Sequence, residues 1–515
     1  MNDGDSTLPA MTGSCSIGST AGRWILTATL LASAASFIMW SAVAVALPSI
    51  QDYFNTNIAG IQWVVNSHLL TLSAFLLIGG SLGDHYGRKR IFIIGMLLFA
   101  TGAILSGIAW SISVLVGFQA LQGIGSALMV PQSLAIINAC FRDEERGRAI
   151  GIWAGISGGI AALGPWLGGW LVENFGWPTV FWMTLPVIAL ALGVTALFIP
   201  ENRDVAAGRL DWLGTSFIFL GLFGIAYGLI GGPIYGWNTL PVLGSLLGGI
   251  VAITVFIFIE RYNREPIIPL KIFRNPLVSE ANAVTILLYF AFNGAIIFSV
   301  LNLQQIQGYS PTQAGIGLLP PIVIITFLAA PAGTLADRFG PRVQMIGGPL
   351  MVALGIALLM TGGTDASYFK HFLPGLITMG IGMAFVIAPL TKSALSVETR
   401  FSGSASGVNN AIARTAGLLA VAVLGALMIS TFAPYLKDTI QSSLLTPPEQ
   451  FQIISQYDRL GGIVIPDSFG ESARAVAQTA VRESFIFSFR WTMGMCSVLA
   501  LAGSIISFFA IHRRA

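Results

Sequence analysis

Apolar runs of roughly 20 residues, the length an α-helix needs to cross a bilayer, recur along this whole chain. They fall near residues 24–48, 62–82, 91–109, 113–139, 149–171, 178–199, 213–231, 238–259, 282–305, 313–335, 343–362, 371–391, 404–430 and 486–511, fourteen in all. In hydrocarbon every backbone N–H and C=O must be satisfied within the protein, so runs of this length predict helices. Composition agrees: charged residues make up 10% of the chain and AVILMFWYC 55%, whereas soluble domains carry about 25% charge. The expected class is an all-α membrane protein with 14 transmembrane helices. Three cysteines (Cys15, Cys140, Cys496) are too few for a disulfide framework or a metal cluster, and no cofactor is expected. A net charge of +3 is too small to suggest nucleic acid as a partner.

The basic residues give an independent topology. Alternate loops carry 19 of the 26, grouped around Arg23, Arg88–Arg90, Arg142–Arg148, Arg203 and Arg209, Arg261–Arg274, Arg338 and Arg342, Lys392 and Arg400, and Arg513 and Arg514. The intervening loops hold five: Lys370, Lys437, Arg459, Arg474 and Arg482. The positive-inside rule then predicts a multi-pass cell-membrane protein with both termini in the cytoplasm. Residues 1–22 are polar, lack a cleavable apolar region and read as a disordered cytoplasmic tail. The longest loop, 431–485, is expected outside, with an amphipathic helix over Ser468–Ser484.

Two loops repeat a signature. Gly80-Ser81-Leu82-Gly83-Asp84-His85-Tyr86-Gly87-Arg88-Lys89-Arg90 follows the second run, and Gly333-Thr334-Leu335-Ala336-Asp337-Arg338-Phe339-Gly340-Pro341-Arg342 follows the tenth. The two aspartates are 253 residues apart, which fits two pseudo-symmetric six-helix bundles with one extra helix pair between them. The expected organisation is a bundle over 23–200, the extra helices seven and eight with their linkers over 201–275, and a second bundle over 276–515.

These motifs resemble the major facilitator superfamily, specifically its fourteen-helix drug:proton antiporter branch. Gly80 to Arg90 is similar to that family's loop 2–3 motif, and Gly159-x4-Gly164-Pro165-x2-Gly168-Gly169 to the antiporter motif of helix five. Glu145-Arg146-Gly147-Arg148-Ala149, Leu210-Asp211-Trp212-Leu213-Gly214, Leu303-Gln304-Gln305-x-Gln307-Gly308-Tyr309-Ser310-Pro311 and Gly407-Val408-Asn409-Asn410 extend the likeness along nearly the whole chain. The resemblance implies a conformational latch built from Gly80, Asp84, Gly87, Arg88, Glu145, Asp337 and Arg338. Asp84 would accept from backbone N–H groups at a neighbouring helix N-terminus, and Arg88 would pair with Asp143 or Glu145. It implies also that the helix-five glycines form a seal between the halves, with Pro165 bending the helix.

The proton machinery of that branch is incomplete here. All 23 carboxylates fall in loops or within about a turn of the expected helix ends, although a buried carboxylate is the usual proton carrier. Met39 stands where the family commonly has an aspartate, Gln119 where it has an arginine, and Gly231-Gly232-Pro233 replaces Glu-Gly-Pro. The aromatic-Arg motif of helix six lacks its arginine in Trp177-Pro178-Thr179-Val180-Phe181. The remaining candidate proton sites are His68, because imidazole titrates near neutrality, and the latch aspartates Asp84 and Asp337. Candidate liners of the central cavity are Trp40, Gln119, Gln122, Met129, Asn293, Asn302, Gln305, Met383 and Arg414, a set suited to a large amphipathic molecule.

The expected activity is export of amphipathic, drug-like molecules by alternating access, with proton antiport implied by the resemblance. A carrier of lipids or lipophilic metabolites without conventional proton coupling is the alternative. The expected partners are a small amphipathic substrate, membrane lipid and protons, with the protein a monomer. An enzyme is not expected: no lysine follows a glycine, which excludes a phosphate-binding Gly-Lys-Ser/Thr loop. Gly79-Gly80-Ser81-Leu82-Gly83 matches a nucleophile elbow in letters only, since it ends a transmembrane run.

Overall fold

The computed structural model describes residues 15–203, 210–263, 266–397 and 402–512. Fourteen helices among them are long and apolar enough to span a membrane, as many as the apolar runs. They are α1 (Thr20–Tyr53), α2 (Ile58–Tyr86), α3 (Arg88–Gly107), α4 (Ile112–Cys140), α5 (Glu144–Phe175), α6 (Pro178–Phe198) and α7 (Trp212–Tyr235). The remainder are α8 (Leu240–Tyr262), α9 (Pro276–Ile306), α10 (Pro311–Ala336), α11 (Arg342–Leu359), α12 (Tyr368–Ala394), α13 (Ser404–Gln441) and α14 (Glu471–Phe509).

Proline chemistry shapes several of them. A proline lacks an N–H to donate and crowds the preceding turn. Accordingly α5 breaks at Leu163, just before Gly164-Pro165, and α10 breaks at Leu318, just before Pro320 and Pro321. α9 ends in a wider π turn over Asn302–Ile306.

Helices α1 to α6 form one bundle, in which α4 packs on α2 and α3, and α1 packs on α4, α5 and α6. Helices α9 to α14 form the other, with α11 against α12 and α14, α10 against α12, and α9 against α13 and α14. The pair α7 and α8 pack on each other, and α7 lies against α2 and α13. Gly221 and Gly249 bring the backbones of that pair into contact, the close packing small residues allow where lipid supplies no hydrophobic drive. Trp63 and Phe75 of α2 meet Phe223 and Phe219 of α7.

Two expectations need correction. The segment read as a disordered tail is ordered from Cys15, which pairs with Phe141 in a β-bridge and buries its thiol, and α1 begins at Thr20. The reason is a small anchor: Cys15 and Ile17 give this polar stretch apolar side chains to bury. The loop expected over 431–485 is shorter, because the helix of α13 continues to Gln441 and that of α14 begins at Glu471. The stretch expected as a separate amphipathic helix is therefore the first turns of α14. The full helices run over Ser402–Gln441 and Glu471–His512, 40 and 42 residues, a length of about 60 Å, twice the ~30 Å of hydrocarbon, so their ends stand clear of the membrane. A two-turn helix, Pro447–Ile454, lies between them and opens on a Thr446–Glu449 capping box.

The repeated motif ends α2 and α10 in the same way. Gly87 has φ +109° and Gly340 φ +82°, a region that costs an L-residue roughly 1–2 kcal/mol. At Gly87 an added Cβ would also press on the Glu201 carboxylate. Gly87→Ala is thus expected to lose about 1–2 kcal/mol of stability. The check is its thermal midpoint in detergent micelles; a midpoint equal to wild type would contradict this account of the turn.

Candidate central cavity and its seal

Fourteen spans place both termini on one face, called here the terminal face. Hydrogen bonds between the bundles cluster toward the opposite face. Glu173 of α5 accepts from Ser310 Oγ (2.8 Å) and from the backbone N–H of Thr312 (3.2 Å), so a carboxylate of one bundle sits at the start of α10 in the other. Gln304 donates to the Val45 carbonyl at 2.9 Å, and Gln305 donates to Gln51 Oε1 at 2.8 Å. The loop between α13 and α14 adds a clasp: Asn57 donates to Asp458 at 2.9 Å, and Gln51 donates to the Arg459 carbonyl at 3.2 Å.

Glycines make that closure possible. A Cβ on Gly169 would collide with the Pro311 carbonyl, and one on Gly315 with the Pro165 carbonyl, so α5 and α10 touch backbone to backbone. Gly164 and Gly168 face Ser41 and Ala42 of α1 with equally little room, whereas Gly159 has the Thr326 methyl at an ordinary 3.9 Å. Toward the terminal face the same helix stands free: Gly147, Gly151, Gly155 and Gly158 have open space where a side chain would go. Along α5 and α10 the bundles meet at one face and part toward the other, while α2 and α13 stay in contact through Leu72, Leu76 and Ala411.

Between the bundles lie contiguous lobes that share Trp40 and Arg414. One, of about 200 Å³, is polar and reaches Asn293, Ser406, Asn409 and Asn410. Another, of about 260 Å³, is apolar and is walled by Phe37, Ala161, Phe292, Ile296, Leu318 and Ile322. A narrow third lobe carries His68 and Leu69. Residues of α7 and α8 line none of the three. The guanidinium of Arg414 lies 5.3 Å from the Phe37 ring centroid, a cation–π distance.

Of the expected cavity residues, Trp40, Asn293 and Arg414 meet here, with His68 beside them. The others do not. Gln119 and Gln122 are buried against α3, where Gln119 donates to Ser106 Oγ (2.9 Å) and to Gln122 Oε1 (2.8 Å). Met129 is fully buried in the first bundle and Met383 nearly so in the second. Asn302 is buried in the π turn and accepts from Gln307 at 3.1 Å, while Gln305 serves the seal. The error has one physical cause: a helix known to border the cavity presents only one face to it, and α4 turns its amides toward α3. Phe37, Tyr289 and Asn410 also line these lobes without having been singled out, although each lies one helical turn from an expected residue that does so: Trp40, Asn293 and Arg414.

The expected latch is rearranged. Arg88 does not reach Glu145; its Nε and Nη2 donate to Asp84 Oδ1 at 2.9 and 2.8 Å, the partner an i,i+4 spacing supplies. Glu145 instead accepts from Ser16 Oγ (3.1 Å) and the Ile17 N–H (2.8 Å). The carboxylate at a helix N-terminus is Glu201, not Asp84: it accepts from the first-turn N–H groups of Lys89 and Arg90 in α3 at 3.1 and 3.2 Å. Gly80 lies where Gln132 donates to its carbonyl. The side chains of Asp143 and Asp337 lie outside the described residues, and Arg338 is exposed.

Two bundles that close on one face around a shared cavity define a membrane transporter of the two-repeat kind. The chain belongs to the Major Facilitator Superfamily, whose model matches residues 29–422. It is 32% identical to the multidrug resistance protein Stp of Mycobacterium tuberculosis (strain CDC 1551 / Oshkosh), over 79% of this chain and 76% of that protein. It is 30% identical to the tetracenomycin C resistance and export protein of Streptomyces glaucescens, over 93% and 91%. A puromycin resistance protein of Streptomyces alboniger is 32% identical over 81% and 83%. Among solved structures, an inward-facing, unoccupied bacterial homologue of the human lysosomal transporter Spinster shares the fold, with a TM-score of 0.64 and 17% identity over 96% of this chain and 99% of that one.

The seal is testable through Gly315. Gly315→Val is expected to wedge α10 from α5, to abolish transport, and to raise the labelling of a cysteine at position 304 by a membrane-impermeant maleimide. Unchanged labelling at normal expression would mean that the contact does not close this face.

Proposed function

We propose that the protein is an alternating-access exporter of amphipathic, drug-like molecules, acting as a monomer in the cell membrane with its terminal face in the cytoplasm. The observation that carries this reading is the two-sided cavity: polar amides and an apolar pocket, reached from the terminal face and sealed from the other. The loop charges support the orientation, since the basic loops lie on the terminal face. The names of the relatives support the direction, being resistance and export proteins. A molecule captured from the cytoplasm would be released after the α5–α10 seal parts and the terminal face closes, with the Asp84–Arg88 turn, Glu145 and Arg338 lying on the face that must close.

In this reading the proton step belongs to His68. Among the described residues no aspartate or glutamate lines the three lobes, and His68 lies in the narrow one with its Nδ1 lacking a hydrogen-bond partner. Imidazole is also the side chain whose ordinary pKa lies nearest neutrality. That lack of an acid equally favours the second reading, a carrier of lipids or lipophilic metabolites that runs down its own gradient.

Purified protein in vesicles, with and without a pH gradient, separates the two. The expected result is uphill export of an amphipathic dye driven by the gradient, lost in His68→Gln while downhill exchange persists. Gradient-driven export that survives His68→Gln would remove the assignment to His68 and point to Asp84 or Asp337. Transport indifferent to the gradient would establish the second reading.

A further inference from the structure

Arg414 is a cation placed where a membrane protein tolerates one poorly. It lies about 18 Å along the helix from Ser402, well inside the bundle, and borders all three central lobes. Among the described residues it has no hydrogen-bond or ion-pair partner; its close contact is the face of Phe37. Among those residues, the lining of the lobes includes no carboxylate to balance it. A charge held within a membrane without a counter-ion is expensive and calls for a ligand, a carbonyl or water. Two other arginines of the second bundle, half-buried Arg482 and exposed Arg490, show the alternative: each donates to backbone carbonyls, Ile306 and Thr364 for the first, Met360 and Gly362 for the second. Arg414 has been given no such carbonyls.

The surroundings define what would complete it. On one side of Arg414 are the amides of Asn293 and Asn410; on the other is the apolar lobe of Phe292, Ile296 and Ile322. Guanidinium offers a planar fork of N–H donors that matches the two oxygens of a carboxylate or phosphate. We propose that Arg414 is the head-group site for an anionic amphipath, a carboxylate or phosphate whose apolar body fills the lobe between α1, α9 and α10. The proposal rests on the export reading for its substrate but not for its site.

The test is equilibrium binding of radiolabelled laurate to the full-length protein in nanodiscs of neutral phosphatidylcholine, with dodecanol and dodecylammonium as competitors of equal chain length. Laurate is expected to bind at least about tenfold more tightly than either, a difference of about 1.4 kcal/mol. Arg414→Gln is expected to lose that preference, and Arg414→Lys to keep part of it. The thermal midpoint of Arg414→Gln should be unchanged or raised, because an unpaired buried charge has been removed. Phosphatidic acid added to the nanodiscs identifies the source of the anion: displacement of laurate assigns the site to a lipid head group, and no displacement assigns it to a free amphipathic acid. Equal binding of dodecanol, laurate binding that ignores Arg414→Gln, or a lowered midpoint in that variant would each overturn the proposal. Export of a neutral dye in vesicles keeps the two readings apart. If export persists while laurate ignores Arg414, the anion site alone fails; if export is absent while laurate needs Arg414, the export reading alone fails.

Discussion

Backbone contact between α5 and α10 at Gly169 and Gly315 is the constraint on which the rest of the molecule depends. With α5 and α10 joined closely at one face, the same two helices stand apart toward the other, so their seal and their opening are set by one contact. Proline sets the contact up. The breaks before Pro165 and Pro320 let the outer third of each helix tilt inward without bending the remainder. Glu173 then bonds across to Ser310 and Thr312, and the clasp of Asn57 on Asp458 adds a second tie above it. These contacts are few, polar and near water, which suits ties that must break in every cycle. The apolar interiors of the bundles are continuous and need not change.

What could be read from the sequence was whatever depends on local composition. Span number follows from the length of apolar runs, and the halves follow from the repeated Gly-x3-Asp-x2-Gly signature, whose last glycine ends a helix with positive φ both times. What could not be read depends on helix rotation and on long-range partners. Gln119 and Gln122 look like cavity residues until α4 is seen to turn them toward Ser106. Glu145 looks like a partner for Arg88 until Ser16 and Ile17, some 130 residues earlier, occupy it. Glu201 carried no signal at all, because a carboxylate just beyond one helix gives no hint that it will cap another. The ends of α13 and α14 were misplaced because apolar runs report only where helix meets lipid, and these two continue past it.

The cavity follows a different electrostatic logic from the rest of the molecule. At the terminal face, charges occur in opposed pairs such as Asp84 with Arg88, and Arg90 with Glu201. In the centre, aromatic and amide groups replace carboxylates, and an aromatic face stands in for the counter-ion of Arg414. A ring quadrupole stabilises a cation less than a carboxylate does, so it holds the guanidinium in place and leaves its N–H groups available. Pairing Arg414 with an acid would have made the bundle easier to stabilise and the cavity indifferent to charge.

The position of α7 and α8 has a consequence for traffic within the lipid itself. A twelve-helix core has two flanks along which the line between its halves borders the bilayer. Here α7 lies over the α2–α13 flank, and the aromatic contacts of Trp63 and Phe75 with Phe219 and Phe223 hold it there. The flank left facing lipid is that of α5 and α10, where Ile156, Leu163, Phe327 and Leu328 are exposed. A lipophilic compound dissolved in the membrane therefore meets the apolar lobe from a single side. The added pair turns a doorway with two entrances into one with a wall behind it.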